Sequence, residues 1–293
     1  MYELVQVTEN TCYIQSPAKI GLVKLDGSNV CLIDSGNDKD AGRKVRKILD
    51  SNGWQLSAVY NTHSNADHIG GNKYLQDSTG CKVYAPGTEC AFTRHTVLEP
   101  SFLYGGFPVK ELRHKFLMAQ ESGAEYLTPD VLPDGWGMID LSGHFFSMVG
   151  FRTPDDVVFL ADCLSSREIL SKYRVTFIYD VGAYLATLET VKAMEARLFI
   201  PSHAEPTSDI SALAQLNIDT VNEIADKIAE ICRTPMNFDR ILQAVFTECG
   251  LTMSWEQYVL VGSTVRSYLA RLKDTGRVNA FFDGNILLWE AVK

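Results

Sequence analysis

Asn61-Thr62-His63-Ser64-Asn65-Ala66-Asp67-His68 places two imidazoles, a carboxylate and two amides within eight residues. It directly follows Leu56-Ser57-Ala58-Val59-Tyr60, an apolar run of the length expected for a buried strand. Singly, His63, Asn65, Asp67 and His68 would pass as ordinary polar loop residues. Together, at one loop's spacing and at the end of a strand, they converge on a point that a divalent metal can fill, because imidazole nitrogen and carboxylate oxygen are the donors such ions take. Gly70-Gly71 follows at once and lets backbone pass close to the loop.

Length and charge bound the class of protein. At 293 residues the chain has room for one large domain or two, and 46% hydrophobic content supplies an ample core. A formal charge of −9 argues against a general polyanion binder, since affinity for nucleic acid or anionic lipid rests on clustered positive charge. The seven cysteines are scattered and include no C-x-x-C pair, so they read as reduced thiols rather than as a disulfide framework. Met1-Tyr2-Glu3-Leu4-Val5 has neither the basic nor the apolar stretch of a secretion signal, and no run of about 18 apolar residues occurs. A cytoplasmic protein without a membrane span is expected.

Upstream of the loop, residues 3–7, 11–15 and 20–25 alternate apolar and polar positions, and Val30-Cys31-Leu32-Ile33-Asp34 is a continuous apolar run closed by Ser35-Gly36. These read as a strand meander. Ala41, Val45, Ile48 and Leu49 give residues 38–52 an amphipathic helical face, closed by Asn52-Gly53. Downstream, a short helix over 73–78 and a strand over 82–85 complete an α/β rhythm. Between 88 and 137 that rhythm breaks, and glycines, prolines and aromatics surround one helical stretch at roughly 109–119. A loop-rich insertion of this length is more often functional than idle. His95 and His114 fall inside it without a partner at ligand spacing, so neither is expected on the metal.

The stretch at 62–68 resembles the metallo-β-lactamase superfamily signature T-H-x-H-x-D-H, with Asn65 where the second histidine usually stands. Three further stretches keep the superfamily's order, each at a strand end: Gly143-His144, Val157 to Ala161-Asp162 with Ala161 where glycine is common, and Leu198-Phe199-Ile200-Pro201-Ser202-His203. Asp34-Ser35-Gly36 matches its D-[ST]-G turn, whose aspartate supports the metal loop from behind. The resemblance implies an α/β fold over residues 1–210, a four-layer αβ/βα sandwich in which two sheets face each other between outer helices. Residues 88–137 would then form a lid-like insertion, with Phe92, Phe102, Tyr104, Phe107 and Phe116 either lining a substrate pocket or packing a small core of their own.

Carried over residue by residue, the resemblance implies that His63 and His144 belong to a first metal position in which Asn65 replaces a histidine. Asp67, His68 and His203 form a second, and Asp162 bridges the two. An amide oxygen is a weaker zinc ligand than imidazole, so the second position is expected to be intact and the first impaired. The implied cofactor is one or two divalent ions, zinc first, with iron or manganese as alternatives. The implied activity is hydrolysis of a small ester, thioester or lactone by a metal-activated water, with Asp67 as the catalytic group that orients the water or accepts its proton. No G-x-S-x-G offers a competing serine nucleophile. The alternatives are a binding or regulatory protein on a degenerate scaffold, and a phosphodiesterase or nuclease.

Residues 211–293 are expected to form a smaller α+β domain. Leu213, Leu216, Ile218, Val221, Ile224, Ile228 and Ile231 follow helical spacing until Thr234-Pro235 stops them. Helices over 241–249 and 255–273 come next, then strands over 278–281 and 286–289 around Asp283-Gly284-Asn285, a strong hairpin signal. Helices followed by a hairpin resemble a winged-helix module. Arg266, Arg271, Lys273 and Arg277 cluster there, yet acidic residues nearly cancel the tail's basic ones. The expected partner is a small-molecule substrate rather than nucleic acid, and a homodimer formed through the tail is compatible with this pattern.

Overall fold

The computed structural model describes residues 2–292. Its contacts separate two compact units: residues up to 141, 146–164 and 194–210 make the first, and 142–145, 165–193 and 211 onward make the second.

The first unit begins with an antiparallel meander, β1 (Glu3–Gln6), β2 (Thr11–Gln15), β3 (Ile20–Asp26) and β4 (Asn29–Ile33). It continues in parallel through β5 (Gln55–Tyr60) and β6 (Lys82–Ala85) to β7 (Ala124–Tyr126), giving a seven-stranded mixed sheet in sequence order. Parallel neighbours need crossover connections. Here α1 (Lys39–Ser51) joins β4 to β5, and α2 (Ala66–Ile69) with α3 (Asn72–Thr79) joins β5 to β6. A second sheet contains β8 (Gly137–Asp140), β9 (Val149–Arg152), β10 (Val157–Ser165) and β11 (Leu198–His203), in the order β11-β10-β9-β8.

From Val30 to Ile33 strand β4 is apolar because both of its faces are covered. Val30 and Leu32 pack with Val45 and Leu49 of α1 and Leu75 of α3, while Cys31 and Ile33 pack with Phe151 and Phe159 of the second sheet. The result within this unit is a helix layer, a sheet and a second sheet, three of the four layers of the αβ/βα sandwich that the sequence predicts. Gly21 marks how closely the sheets approach: a Cβ there would lie 2.8 Å from the Phe159 ring. Helix α1 starts at Asp38, whose carboxylate accepts from Ala41 N–H, and ends where Gly53 takes a φ of +68° and Trp54 N–H returns to the Leu49 carbonyl.

The insertion departs from expectation. The helix predicted over 109–119 is a single 3-10 turn, Lys110–Leu112. The buried residues of that stretch, Leu112, Leu117 and Ala119, are spaced by five and two, which no helical face brings together. The helices lie upstream instead, α4 (Glu89–Arg94) and α5 (Leu98–Tyr104). Phe92 and Phe102 both pack against Phe146, whereas Phe107 and Phe116 are exposed.

The second unit holds α6 (Arg167–Tyr173), α7 (Val181–Lys192), α8 (Ser211–Ile231), α9 (Phe238–Glu248) and α10 (Trp255–Asp274), then the hairpin β12 (Val278–Asp283) and β13 (Ile286–Ala291). Gly284 and Asn285 both have positive φ, as the two central residues of a type I′ hairpin turn must. Tyr268 is in the core of this unit, while Phe282 stands in solvent at 77% exposure. No helix among the described residues is long and apolar enough to cross a membrane.

Gly70 and Gly71 close the metal loop against the turn after β4. A Cβ on Gly70 would lie 2.3 Å from the Asn37 carbonyl carbon, and one on Gly71 would lie 2.3 Å from the Ser35 carbonyl oxygen. Both neighbours are backbone and cannot rotate away. Gly70→Ala is therefore expected to destabilise the chain by about 2 kcal/mol or more, read as a lower denaturant midpoint. An unchanged midpoint would contradict this packing.

Candidate metal centre

Strand β4 is followed by Asp34, a buried residue held at φ +64°, where a non-glycine residue is strained. That backbone turn aims its carboxylate at the loop after β5. Oδ1 accepts from Thr62 N–H at 2.8 Å, and Oδ2 accepts from the Thr62 hydroxyl at 2.8 Å and from His68 Nδ1 at 2.8 Å. Ser35 adds a second clamp, its N–H and hydroxyl both donating to the His68 carbonyl. At the base of the loop, Asn72 Nδ2 donates to Asn61 Oδ1 at 2.8 Å, joining two fully buried amides.

These contacts fix the histidine tautomers. A carboxylate only accepts, so the Thr62 hydroxyl hydrogen goes to Asp34 and its oxygen is left to accept from His63 Nδ1, 2.9 Å away. His68 gives its Nδ1–H to Asp34, and His203 gives its own to the Pro17 carbonyl at 3.2 Å. All three imidazoles thus present the Nε2 lone pair. Such Nδ1 partners are the usual support of metal-ligating histidines.

The Nε2 atoms face carboxylates. His68 Nε2 lies 3.0 Å from Asp162 Oδ1 and 3.8 Å from Asp67 Oδ2. His203 Nε2 lies 3.2 Å from Asp162 Oδ2 and 3.4 Å from Asp67 Oδ2, and His63 Nε2 stands 4.0 Å from Asp162 Oδ2. Asp67, His68, Asp162 and His203 each offer one ligand atom within 4.8 Å of the others. Bonds of about 2.0–2.2 Å to a common ion would set its donors roughly 3–3.5 Å apart, close to these spacings. His68 Nε2 is buried and meets Asp162 Oδ1 at 3.0 Å without the geometry of a hydrogen bond, so the nitrogen and the carboxylate are arranged around a point rather than aimed at each other. The donor set fits a divalent cation.

The field points the same way. Burial alone would lower the His203 imidazole, yet Asp162 and Asp67 beside it raise it to about 10. His68 is likewise pushed well above the ordinary imidazole range, against its burial, by Asp162, Asp67 and Asp34. Burial opposes ionisation of Asp67 too, but the histidines bring it down to about 2. The cluster demands positive charge at its centre. Asp67 has the most open side chain of the set, 40% exposed, and so is the one that can meet a water and a substrate.

Asn65 precedes α2, where an asparagine would ordinarily cap the helix, but its side chain makes no capping bond. Its Nδ2 instead donates to Glu99 Oε1 at 2.8 Å. The next buried acid, Glu89, accepts from Ser64 N–H and hydroxyl at 3.2 and 2.5 Å and from Ser147 N–H at 2.8 Å. Burial pushes Glu89 up to about 7 despite those bonds. Burial also raises Glu99 well above the carboxylate range, opposed by the Asn65 bond. Neither acid stood out in the sequence. The available signal was that Glu89, Phe92 and Thr93 fall on one helical face.

His144 sits on the turn 142–145 of the second unit, where its ring meets Phe177 edge-on at 5.4 Å. Gly143 makes this turn possible, with φ at +121° and room for no Cβ, which would lie 2.2 Å from Tyr184 N. His95 is exposed, and His114 accepts from Phe116 N–H through its Nδ1.

The chain belongs to the metallo-beta-lactamase superfamily, whose family model matches residues 15–203. Membership implies a divalent metal, in agreement with the His/Asp cluster. A hydroxyacylglutathione hydrolase of Methylococcus capsulatus is 51% identical over 121 residues, 41% of this chain and 38% of that protein. Another of that name, from Erythrobacter litoralis, is 40% identical over 57 residues, 18% of this chain and 23% of that protein. The matched part thus spans well under half of these curated relatives. Among solved structures, a beta-lactamase domain protein from Burkholderia ambifaria superposes with a TM-score of 0.74 at 15% identity, covering 99% of this chain and 94% of that one. A metallo-beta-lactamase family protein from Thermus thermophilus gives 0.72 at 14%, covering 100% and 98%. At such identities these structures establish the fold.

Because one carboxylate supports both His68 and, through Thr62, His63, Asp34→Ala is expected to weaken metal affinity by about 10- to 100-fold, measured by chelator competition. His95→Ala and His114→Ala should leave metal content unchanged. Metal lost in either histidine variant, or retained at native affinity in Asp34→Ala, would contradict this assignment.

Proposed function

We propose that this protein is a metal-dependent hydrolase that cleaves a small thioester, or a related ester or lactone. The observation that carries this reading is the set of Nε2 atoms turned onto two carboxylates, each imidazole held from behind through Nδ1. The relatives named hydroxyacylglutathione hydrolases favour a thioester within that class. Asp67, His68 and His203 are read as the second metal position, His63, Asn65 and His144 as the first, and Asp162 as the bridge. Zinc is the expected ion at the second position, where no amide replaces a histidine.

Asp67, His68, Asp162 and His203 would hold a divalent cation, which would supply a water of near-neutral pKa and polarisation of the acyl oxygen. Asp67, open to solvent and beside His203, orients the attacking water or accepts its proton. Asp34 keeps the histidines in the required tautomer, and the buried acids of α4 and α5 hold the loop against movement. All seven cysteines are free and six of them buried, which suits a reducing compartment, and the cytoplasm is the proposed location. The helices and hairpin of the tail are read as a winged-helix-like module whose near-balanced charge suits packing or a homodimer rather than nucleic acid.

Chelation is expected to abolish hydrolysis of an acyl thioester, and added zinc to restore it. Asp67→Ala should lower kcat by about 100-fold or more, and His203→Ala should lose metal and turnover together. Metal retained without turnover of any thioester, ester or lactone would favour a binding protein on the same scaffold.

A further inference from the structure

The superfamily's usual second histidine is an asparagine here, and the structure shows what accompanies the change. Glu99, on α5 of the insertion and 5% exposed, accepts from Asn65 Nδ2. The amide meets Glu99 Oε1 with its nitrogen, at 2.8 Å, and the oxygen is the end turned away from that acid. The amide is also withheld from the capping role its position invites. On the next residue, Glu89 holds Ser64 by two bonds, so both sides of the Ser64–Asn65 peptide are tied to buried acids of the insertion.

We propose that Asn65 and Glu99 act as one unit at the first metal position. Glu99 is a positioning residue that holds the amide nitrogen and so directs the carbonyl oxygen of Asn65 toward the ion. The position becomes one of mixed nitrogen and oxygen donors, with a weaker preference for zinc and better tolerance of a harder ion such as manganese or ferrous iron. This rests on the metal-centre reading above.

The test is chelator-competition titration of the full-length, metal-free protein with zinc and with manganese, with thermal unfolding of each metal-free variant to monitor folding. The native chain should bind one ion tightly and a second more weakly. Glu99→Ala should weaken the second ion by about 10- to 100-fold and leave the first nearly unchanged. Glu99→Gln, whose amide oxygen still accepts from Asn65, should retain most of the native affinity. Asn65→His should raise the zinc-to-manganese affinity ratio at the weaker position by about tenfold or more. Native second-ion affinity in folded Glu99→Ala, or equal losses in Glu99→Ala and Glu99→Gln, would overturn the positioning role. Should Glu99→Ala not fold, Glu99→Gln and Asn65→His carry the test, and an unchanged metal ratio in Asn65→His refutes the proposal. A native chain that binds neither ion would instead refute the metal centre itself.

Discussion

The carboxylate of Asp34 ties the end of β4 to the start and the end of the metal loop, through Thr62 on one side and His68 on the other. Everything else at the site is arranged around that contact. It requires an aspartate at positive φ, two glycines that admit the neighbouring backbone, and a pair of buried amides at the loop's base. Hydrogen bonds to a buried charged group are worth about 1.5–3 kcal/mol each, and leaving one unmade costs as much or more. The loop therefore has a deep energetic reason to keep one shape, and that shape sets the tautomers of His63 and His68.

With the tautomers set, the electrostatics follow. Lone pairs at Nε2 face Asp67 and Asp162 across short gaps, an arrangement of acceptor against acceptor that is unfavourable in a dry interior unless positive charge lies between. Protons on the imidazoles meet that need partly, as the upward shifts of His68 and His203 show. A divalent cation meets it with one centre and leaves Asp67 at the open edge, where chemistry on a small molecule has access.

Much of this was legible in the sequence because strand ends deliver the ligands. An apolar run that stops at a polar residue announces both the strand and the residue it presents, as at Asp34, His63 and His203, whereas Asp162, expected at a strand end, lies inside β10, which runs on to Ser165. The tail was legible for a similar reason, since long helical periodicity and an Asp-Gly-Asn turn are local signals. The insertion was not. Its helices are too short for periodicity to show, its expected helix at 109–119 lacks a continuous apolar face, and the roles of Glu89 and Glu99 depend on partners 25 and 34 residues away in the chain. A buried acid reads as a surface acid until its partner is known.

The insertion is consequently more than a cover, since two of its acids bond directly to the loop that carries the ligands, and any movement of α4 or α5 is felt at Ser64 and Asn65. Zinc-edge anomalous diffraction from crystals of the zinc-loaded protein tests the central claim most directly. A peak is expected within bonding distance of His68 Nε2, His203 Nε2 and the carboxylates of Asp67 and Asp162, at about 2.0–2.2 Å from each donor. Zinc bound elsewhere on the chain, with none at these four residues, would contradict it.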